Sequence, residues 1–301
     1  KPHNMVALRH LSDPVKGMLA SALAFFLFSA SDVVLKHLTH DYHFITLAFF
    51  AALGCVIFYN VYALATRQWK AMMKTRSYHL HALRGLCFAG IYMCFLYGIT
   101  HLPLANIYTL SFTMPFITTL MGLAFLKEIP TKREWICLAV GFIGVIVALR
   151  PGDWTLSLPV FAGLGLGIFF GFINVIVRYY PKDEHFLSIA MLPLYVEFSV
   201  YVLLSIFVTG VFEMMQPLDA LICATGGAIG GVGLILMNYA FQKASMAQAA
   251  AFHYMQLVWG ALFGWLFFQD ILDLWILAGA ILIIGAGLWM LMEKDKGSKA
   301  S

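Results

Sequence analysis

Long apolar segments alternate with short polar connections along almost the whole chain. Ten of these segments contain few charged side chains and are about 20 residues long, the length that an α-helix needs to cross a bilayer core. We predict transmembrane helices at 17–37, 44–66, 79–101, 104–127, 133–151, 156–178, 185–209, 219–241, 246–268 and 274–292. The pattern indicates an all-α integral membrane protein with ten transmembrane helices.

Composition supports this class. Of the 301 residues, 61% are hydrophobic and 11% are charged, whereas soluble domains are about 45–50% apolar and about 25% charged. The first apolar run is longer than the core of a signal peptide, so we expect it to remain as the first helix. The cysteines are odd in number and lie inside apolar runs, which indicates buried thiols rather than a disulfide framework.

Lysine and arginine are distributed unevenly between the predicted loops. If the N-terminus is cytoplasmic, all but two of the 19 positive side chains fall on the cytoplasmic side, the exceptions being Lys36 and Arg150. Loops on the cytoplasmic side of membrane proteins carry an excess of lysine and arginine. Both termini are therefore predicted to be cytoplasmic, which requires an even number of spans.

An offset of 142 residues aligns the first half of the chain with the second half without a gap. It places "GLAFLKEI" (122–129) on "GWLFFQDI" (264–271). The halves, 17–151 and 156–292, each contain five predicted spans, so the second half enters the membrane from the opposite side. We predict two inverted-topology five-helix repeats, a construction typical of secondary transporters, in which the substrate site lies near the midplane.

The end of the fourth helix of each half, followed by a glycine-rich fifth helix, carries a family resemblance. Gly122 precedes Glu128 by six residues, and Gly264 precedes Asp270 by the same number. With these motifs the chain resembles the EamA-type branch of the drug/metabolite transporter superfamily and, within it, the YddG-type exporters of aromatic and other amino acids. Asp270 departs from the usual glutamate.

This resemblance covers about 17–292 and implies a bacterial inner-membrane protein that exports small metabolites. It also implies a central cavity surrounded by helices 1, 3, 4, 6, 8 and 9. Polar side chains deep in a span are costly unless they face protein or a water-filled cavity. The candidates for substrate binding are Tyr92, Tyr108, Ser111, Asn238, His253, Gln256 and Trp259.

Three of the ionisable residues within the spans have open roles. His253 is interpreted either as a core histidine bonded to a neighbouring helix or as a contact for substrate or a proton. Glu197 lies in the middle of helix 7, where a protonated or hydrogen-bonded structural role is favoured over a functional one. If transport is coupled to protons, Asp32, Glu197 and His253 are the candidate groups; facilitated diffusion fits the sequence equally well.

Asp32 and Lys36 lie one helical turn apart near the outer end of helix 1, in the favourable order for an ion pair. The offset places them on Asn174 and Arg178 of helix 6. We interpret the first pair as a paired helix end, and all four residues as candidate gates at opposite ends of a symmetric pathway.

These features favour a secondary transporter that exports amino acids, aromatic or other hydrophobic ones above all, by alternating access. The alternatives are a channel, a lipid scramblase, or an exporter of cationic drugs or other metabolites. An enzyme is not expected, because a His-Glu-x-x-His zinc motif and paired intramembrane aspartates are both missing. The expected partners are a small-molecule substrate and the lipid bilayer; no cofactor, metal ion or nucleic acid is expected, and a monomer is compatible with the sequence.

Overall fold

A computed structural model describes residues 12–38, 41–101, 104–150, 157–208, 210, 212–269 and 274–292. The α-helices are α1 (Asp13–Lys36), α2 (Phe44–Ala65), α3 (Trp69–Met73), α4 (Tyr78–His101), α5 (Leu104–Ser111), α6 (Met114–Leu126), α7 (Lys132–Leu149), α8 (Leu158–Tyr179), α9 (Phe186–Phe207), α10 (Pro217–Lys243), α11 (Met246–Ala251), α12 (Met255–Phe268) and α13 (Leu274–Leu291). Seven segments of this part of the chain are long and apolar enough to cross a membrane. The predicted all-helical membrane fold is confirmed, whereas the count of ten spans and their inversion stay predictions.

Two predicted helices, 104–127 and 246–268, are each interrupted near their middle. One break separates α5 from α6, and at the other a 3₁₀ turn, Phe252–Tyr254, separates α11 from α12. Pro115, in the first turn of α6, has no N–H to donate to the carbonyl of Ser111. Irregular backbone at membrane depth is tolerated where it is buried in protein or lines a cavity. Both breaks are therefore expected to lie against protein or a cavity.

The helices of the second half follow those of the first at the 142-residue offset. For example, α2 corresponds to α9, and α7 corresponds to α13, with matching ends. The residues that end α6 and α12, Lys127 and Gln269, both adopt left-handed backbone conformations with φ of 57°. Contacts correspond as well, because α1 packs against α10, and their counterparts α8 and α4 pack against each other. At each of these two contacts a helix of the first half packs against a helix of the second half.

Close backbone contact joins α10 to α2. A Cβ atom at Gly227 would collide with the backbone of Ala51, so only glycine fits there. One turn further along, the hydroxyl of Tyr59 donates to the carbonyl oxygen of Gly231 at 2.6 Å. Small residues let membrane helices approach until such contacts form, which explains the glycines of α10 as packing residues.

A fully buried arginine connects four helices. The Arg84 Nε donates to Ile173 O at 3.0 Å, its Nη1 to Ile189 O at 2.6 Å and its Nη2 to Asn238 Oδ1 at 2.5 Å. Pro193, inside α9, has no N–H for the carbonyl of Ile189 four residues earlier. Arg84 therefore supplies the donor that the proline removes, and it holds α4 against α8, α9 and α10.

Candidate functional site

Asp32 of α1 is hydrogen-bonded to Gln256 of α12. The amide Nε2 of Gln256 donates to Asp32 Oδ2 at 3.0 Å, and the hydroxyl of Ser29 lies 3.5 Å from the main-chain oxygen of Gln256. Many protein atoms lie near the Asp32 carboxylate, yet the residue keeps a large accessible surface. Both observations hold together if the carboxylate lines a recess in the bundle. The expected pairing with Lys36 is replaced by this bond between the two halves.

Two tyrosines from different helices share this surrounding. Tyr92 of α4 and Tyr108 of α5 are 37% and 41% exposed, and both lie within electrostatic range of the Asp32 carboxylate. The ring of Tyr108 lies 6.2 Å from that of Phe95. Two phenols and an exposed carboxylate therefore lie in the same region of the bundle.

Trp259 follows Gln256 by three residues, so the two share one face of α12. Its ring meets the ring of Phe26 edge-on at 5.2 Å. Its indole Nε1 is buried and has no hydrogen-bond partner among the described residues. We use the name central cluster for Asp32, Tyr92, Tyr108, Gln256 and Trp259. Four of these were predicted as substrate contacts, and Asp32 was predicted as a gate.

His253 lies in the 3₁₀ turn between α11 and α12 and is only 5% exposed. Its ring stacks on Phe25 at 4.7 Å with 8° between the planes. The rings of Phe112 and Phe170 lie 5.4 and 5.5 Å away. His253 therefore packs where α1, α8 and the two broken helices meet, and its Nδ1 has no partner in the described part of the chain.

Asn238 and Ser111 are buried, unlike the exposed groups of the central cluster. Asn238 is buried and accepts the bond from Arg84, while its Nδ2 has no partner among the residues described. The hydroxyl of Ser111 donates to the carbonyl oxygen of Tyr108 at 2.7 Å. Both side chains thus make local or interhelical contacts that hold the surrounding backbone.

Glu128 links three helix ends at one end of the bundle. Its Oε1 lies 3.1 Å from Nη2 of Arg178, and its Oε2 accepts from the N–H of Met246 at 2.8 Å. Arg178 also donates to the carbonyl oxygen of Ala244. We use the name Glu128 latch for these four residues. The sequence motif marked Glu128 as a family feature, but its two partners became visible only in the structure.

Two further contacts reinforce this end of the bundle. Glu134, in the capping box that begins α7, accepts from the hydroxyl of Ser245 at 3.0 Å. Lys243 at the end of α10 donates to Asp13 at the start of α1 at 2.8 Å. A Cβ atom at Gly122 would lie 2.7 Å from Cβ of Met246, so the glycine of the motif permits the close approach of α6 and α11.

The other predicted gate residues have different surroundings. Asn174 is fully buried, and its Nδ2 donates to the carbonyl oxygen of Phe170 at 2.8 Å. Lys36, which the 142-residue offset aligns with Arg178, is exposed. Asp270, the counterpart of Glu128, lies outside the described residues. Of the four gate candidates, Arg178 is the one that belongs to the Glu128 latch.

Replacing Glu128 with glutamine is expected to increase access to the interior from the latch end about tenfold or more. The change removes charge-assisted hydrogen bonds, each of which contributes about 1.5–3 kcal/mol. The measurement is the rate at which a maleimide labels Ser21→Cys, a position that is now fully buried, in protein lacking the native cysteines. Asp183→Asn, at an exposed loop position, is the matched control; equal labelling rates in all variants would contradict a latch.

Apolar helices in two corresponding halves that pack against each other define a multi-pass helical membrane protein, and this construction is typical of the transporter class. The model of the EamA-like transporter family matches residues 15–150 and again residues 157–292. The chain therefore belongs to the EamA-like transporter family, within the drug/metabolite transporter superfamily, and is a transporter rather than an enzyme.

Relatives in this family have different cargoes. The chain is 25% identical over 276 residues to the S-adenosylmethionine uptake transporter of Rickettsia bellii, covering 89% of this chain and 90% of that one. It is 27% identical over 281 residues to the pseudopaline exporter CntI of Pseudomonas aeruginosa, covering 90% and 94%. It is 27% identical over 261 residues to the riboflavin transporter of Brucella anthropi, covering 78% and 84%.

A crystal structure of another protein superposes with a TM-score of 0.74 at 14% sequence identity, covering 91% of this chain and 95% of that one. This likeness supports the fold alone. The relatives include both an uptake transporter and an exporter, so family membership defines transport without defining cargo or direction.

Proposed function

We propose that this protein is a secondary transporter that exports small metabolites carrying a positively charged amino group, above all amino acids with aromatic or other hydrophobic side chains. Transport would proceed by alternating access through the recess around the central cluster. The observation that carries the proposal is the exposed Asp32 carboxylate, hydrogen-bonded by Gln256 and with two phenols within electrostatic range.

The charge of Asp32 argues for a cationic group on the substrate. A carboxylate at membrane depth is costly unless a positive charge or several hydrogen bonds compensate it. Among the described residues, the side-chain bond that Asp32 accepts comes from Gln256, which supplies a hydrogen and no charge. A substrate ammonium would supply the missing charge, and it would also be attracted to the faces of aromatic rings.

The aromatic groups argue for an apolar or aromatic substrate body. Tyr92 and Tyr108 come from two different helices and lie within electrostatic range of the Asp32 carboxylate. Trp259 lies on a third helix, three residues from the Gln256 that donates to this carboxylate. Stacked or edge-on ring pairs contribute about 0.5–1.5 kcal/mol beyond the apolar area they bury. The buried Nε1 of Trp259 is a donor that a substrate carboxylate would accept.

The loop charges support an orientation for this pathway. The Glu128 end carries Lys132, Arg133 and Lys243, and positive loops favour the cytoplasmic side. We propose that the Glu128 latch closes the cytoplasmic end in the present conformation, with Arg178 as its mobile cation and Asn174 behind it. Lys36 would belong to the corresponding gate on the outer side of a bacterial inner membrane.

A counterflow experiment with purified protein in liposomes tests the proposal. Vesicles loaded with unlabelled L-phenylalanine are expected to accumulate labelled L-phenylalanine transiently. Phenylpropionate, which lacks the amino group, is the matched control and is expected to enter at least tenfold more slowly. Equal entry of both compounds would contradict the role of the substrate cation.

The same vesicles separate the alternative cargoes. S-adenosylmethionine, riboflavin and a quaternary ammonium drug are tested beside the amino acids. Counterflow of the drug alone would retain the cationic class and reject amino acids. Counterflow of riboflavin alone would reject the cationic class, and conductance without counterflow would indicate a channel.

A further inference from the structure

A second carboxylate lies buried in the middle of α9. Glu197 is 6% exposed, and its Oε1 accepts from the hydroxyl of Tyr201, one turn further along the helix, at 2.5 Å. No lysine or arginine of the described residues contacts it. Burying an ionised carboxylate without a cation carries a large energetic penalty, so a group in this setting favours a bound proton. The proposed binding of substrate at the central cluster does not involve Glu197.

The helices packed against α9 bring cysteine and tyrosine side chains towards Glu197. These helices are α2, α3, α4 and α10. Cys55 of α2 and Tyr92 of α4 interact electrostatically with the Glu197 carboxylate, and Cys223 of α10 interacts with Tyr92; within the described residues α3 contributes no such group. Each of these neighbours is neutral when protonated.

The cation of α4 is engaged elsewhere. Arg84 lies about two helical turns from Tyr92, and its guanidinium bonds two carbonyl oxygens and Asn238. The negative charge of an ionised Glu197 is thus left without a cation in the described structure.

Tyr92 connects Glu197 with the recess. The ring of Tyr201 meets that of Tyr92 edge-on at 5.5 Å. Tyr92 lies within electrostatic range of both Glu197 and Asp32, and its side chain is 37% exposed. One phenol is therefore the shared neighbour of two carboxylates, one exposed and one buried.

From this geometry we propose that Glu197 is a proton-binding site that couples export to an inward proton gradient. The proposal rests on the proposed transport function. When the recess is open to the outside, a carboxylate oxygen of Glu197 takes up a proton from water and becomes neutral. The potential in the recess becomes less negative, and a cationic substrate therefore leaves Asp32. When the recess is open to the cytoplasm, the O–H bond breaks, the proton leaves, and a new substrate cation binds.

The surroundings favour a proton over a metal cation as the ligand. Hard metal ions require several oxygen ligands, whereas Tyr201 supplies the one side-chain oxygen that bonds Glu197 in the described structure. The described residues also contain no group of three His, Cys, Asp or Glu side chains that would hold a metal ion. A proton needs only the carboxylate itself.

Infrared spectroscopy of the purified protein tests the site without any transport. The carbonyl band of a protonated carboxylic acid is expected to lose intensity as the pH rises, over a range in which circular dichroism shows intact helices. Glu197→Gln is expected to lack this component, and Glu213→Gln, at an exposed loop position, is expected to keep it. Tyr201→Phe, which removes the bond to the carboxylate, is expected to shift the midpoint. A spectrum without a pH-dependent Glu197 component overturns the proposal.

Proton movement in vesicles tests the coupling. In wild-type vesicles, addition of a transported amino acid is expected to change the fluorescence of a pH dye in the lumen, and Glu197→Gln is expected to reduce this signal at least tenfold. Wild-type counterflow without proton movement would overturn the coupling and leave the proposed function intact. Absence of counterflow for every compound would reject the proposed function, while the infrared titration would still decide whether Glu197 binds a proton.

Discussion

Replacing Arg84 with methionine is expected to lower the free energy of unfolding by about 3 kcal/mol or more. The change leaves three buried acceptors without their donor, at about 1–3 kcal/mol each, and recovers part of this by removing a buried charge. The carbonyl of Ile189 is affected most, because Pro193 gives it no helical donor.

Thermal unfolding in detergent, followed by circular dichroism, measures this loss. Arg76→Met is the matched control, because Arg76 is exposed and surface substitutions change stability by about 0.5 kcal/mol or less. Arg84→Lys is expected to be intermediate, since one ammonium group cannot reproduce the fork of guanidinium donors. If Arg84→Met unfolded at the same temperature as the wild type, the bonds from Arg84 to the three neighbouring helices would not stabilise the protein.

Replacing Asp32 with asparagine is expected to reduce counterflow of L-phenylalanine by about tenfold to a hundredfold. The amide keeps the size of the side chain and a carbonyl oxygen for Gln256, but it loses the charge that would bind the substrate ammonium, an interaction of about 1.5–3 kcal/mol.

The control for this experiment is Asp41→Asn, at an exposed loop position, which is expected to transport at the wild-type rate. Phenylpropionate entry is expected to stay low in all three proteins. Wild-type phenylalanine counterflow in Asp32→Asn would move the substrate cation away from the central cluster.

Many residues of the candidate site could be predicted from the sequence, but the contacts between them could not. Gln256 was selected because a polar group at membrane depth needs a partner or a water-filled cavity. Tyr92 and Tyr108 were selected because the family resemblance places their helices around the cavity. Asp32 was predicted to pair with Lys36, since sequence shows neighbours along one helix most clearly. Its partner Gln256 is 224 residues away, and no spacing rule reaches across that separation.

Arg84 and Glu128 illustrate the same limit. Arg84 belongs to the basic region that begins α4, and a positive side chain near a span end predicts orientation. The structure instead buries it completely, because a proline in α9 leaves a carbonyl in need of a donor. Glu128 was visible as a motif residue, but its bond to the N–H of Met246 depends on where α11 begins.

The sequence by itself determined the class of protein, the apolar helices and the family, because partition into a bilayer is a sum over local residues and a family motif is read position by position. The tertiary structure alone decided which buried groups meet: Asp32 with Gln256, Arg84 with Asn238, Glu128 with Arg178. Hydrogen bonds and ion pairs act over a few ångströms between particular atoms, and those distances are set only when all the helices have packed.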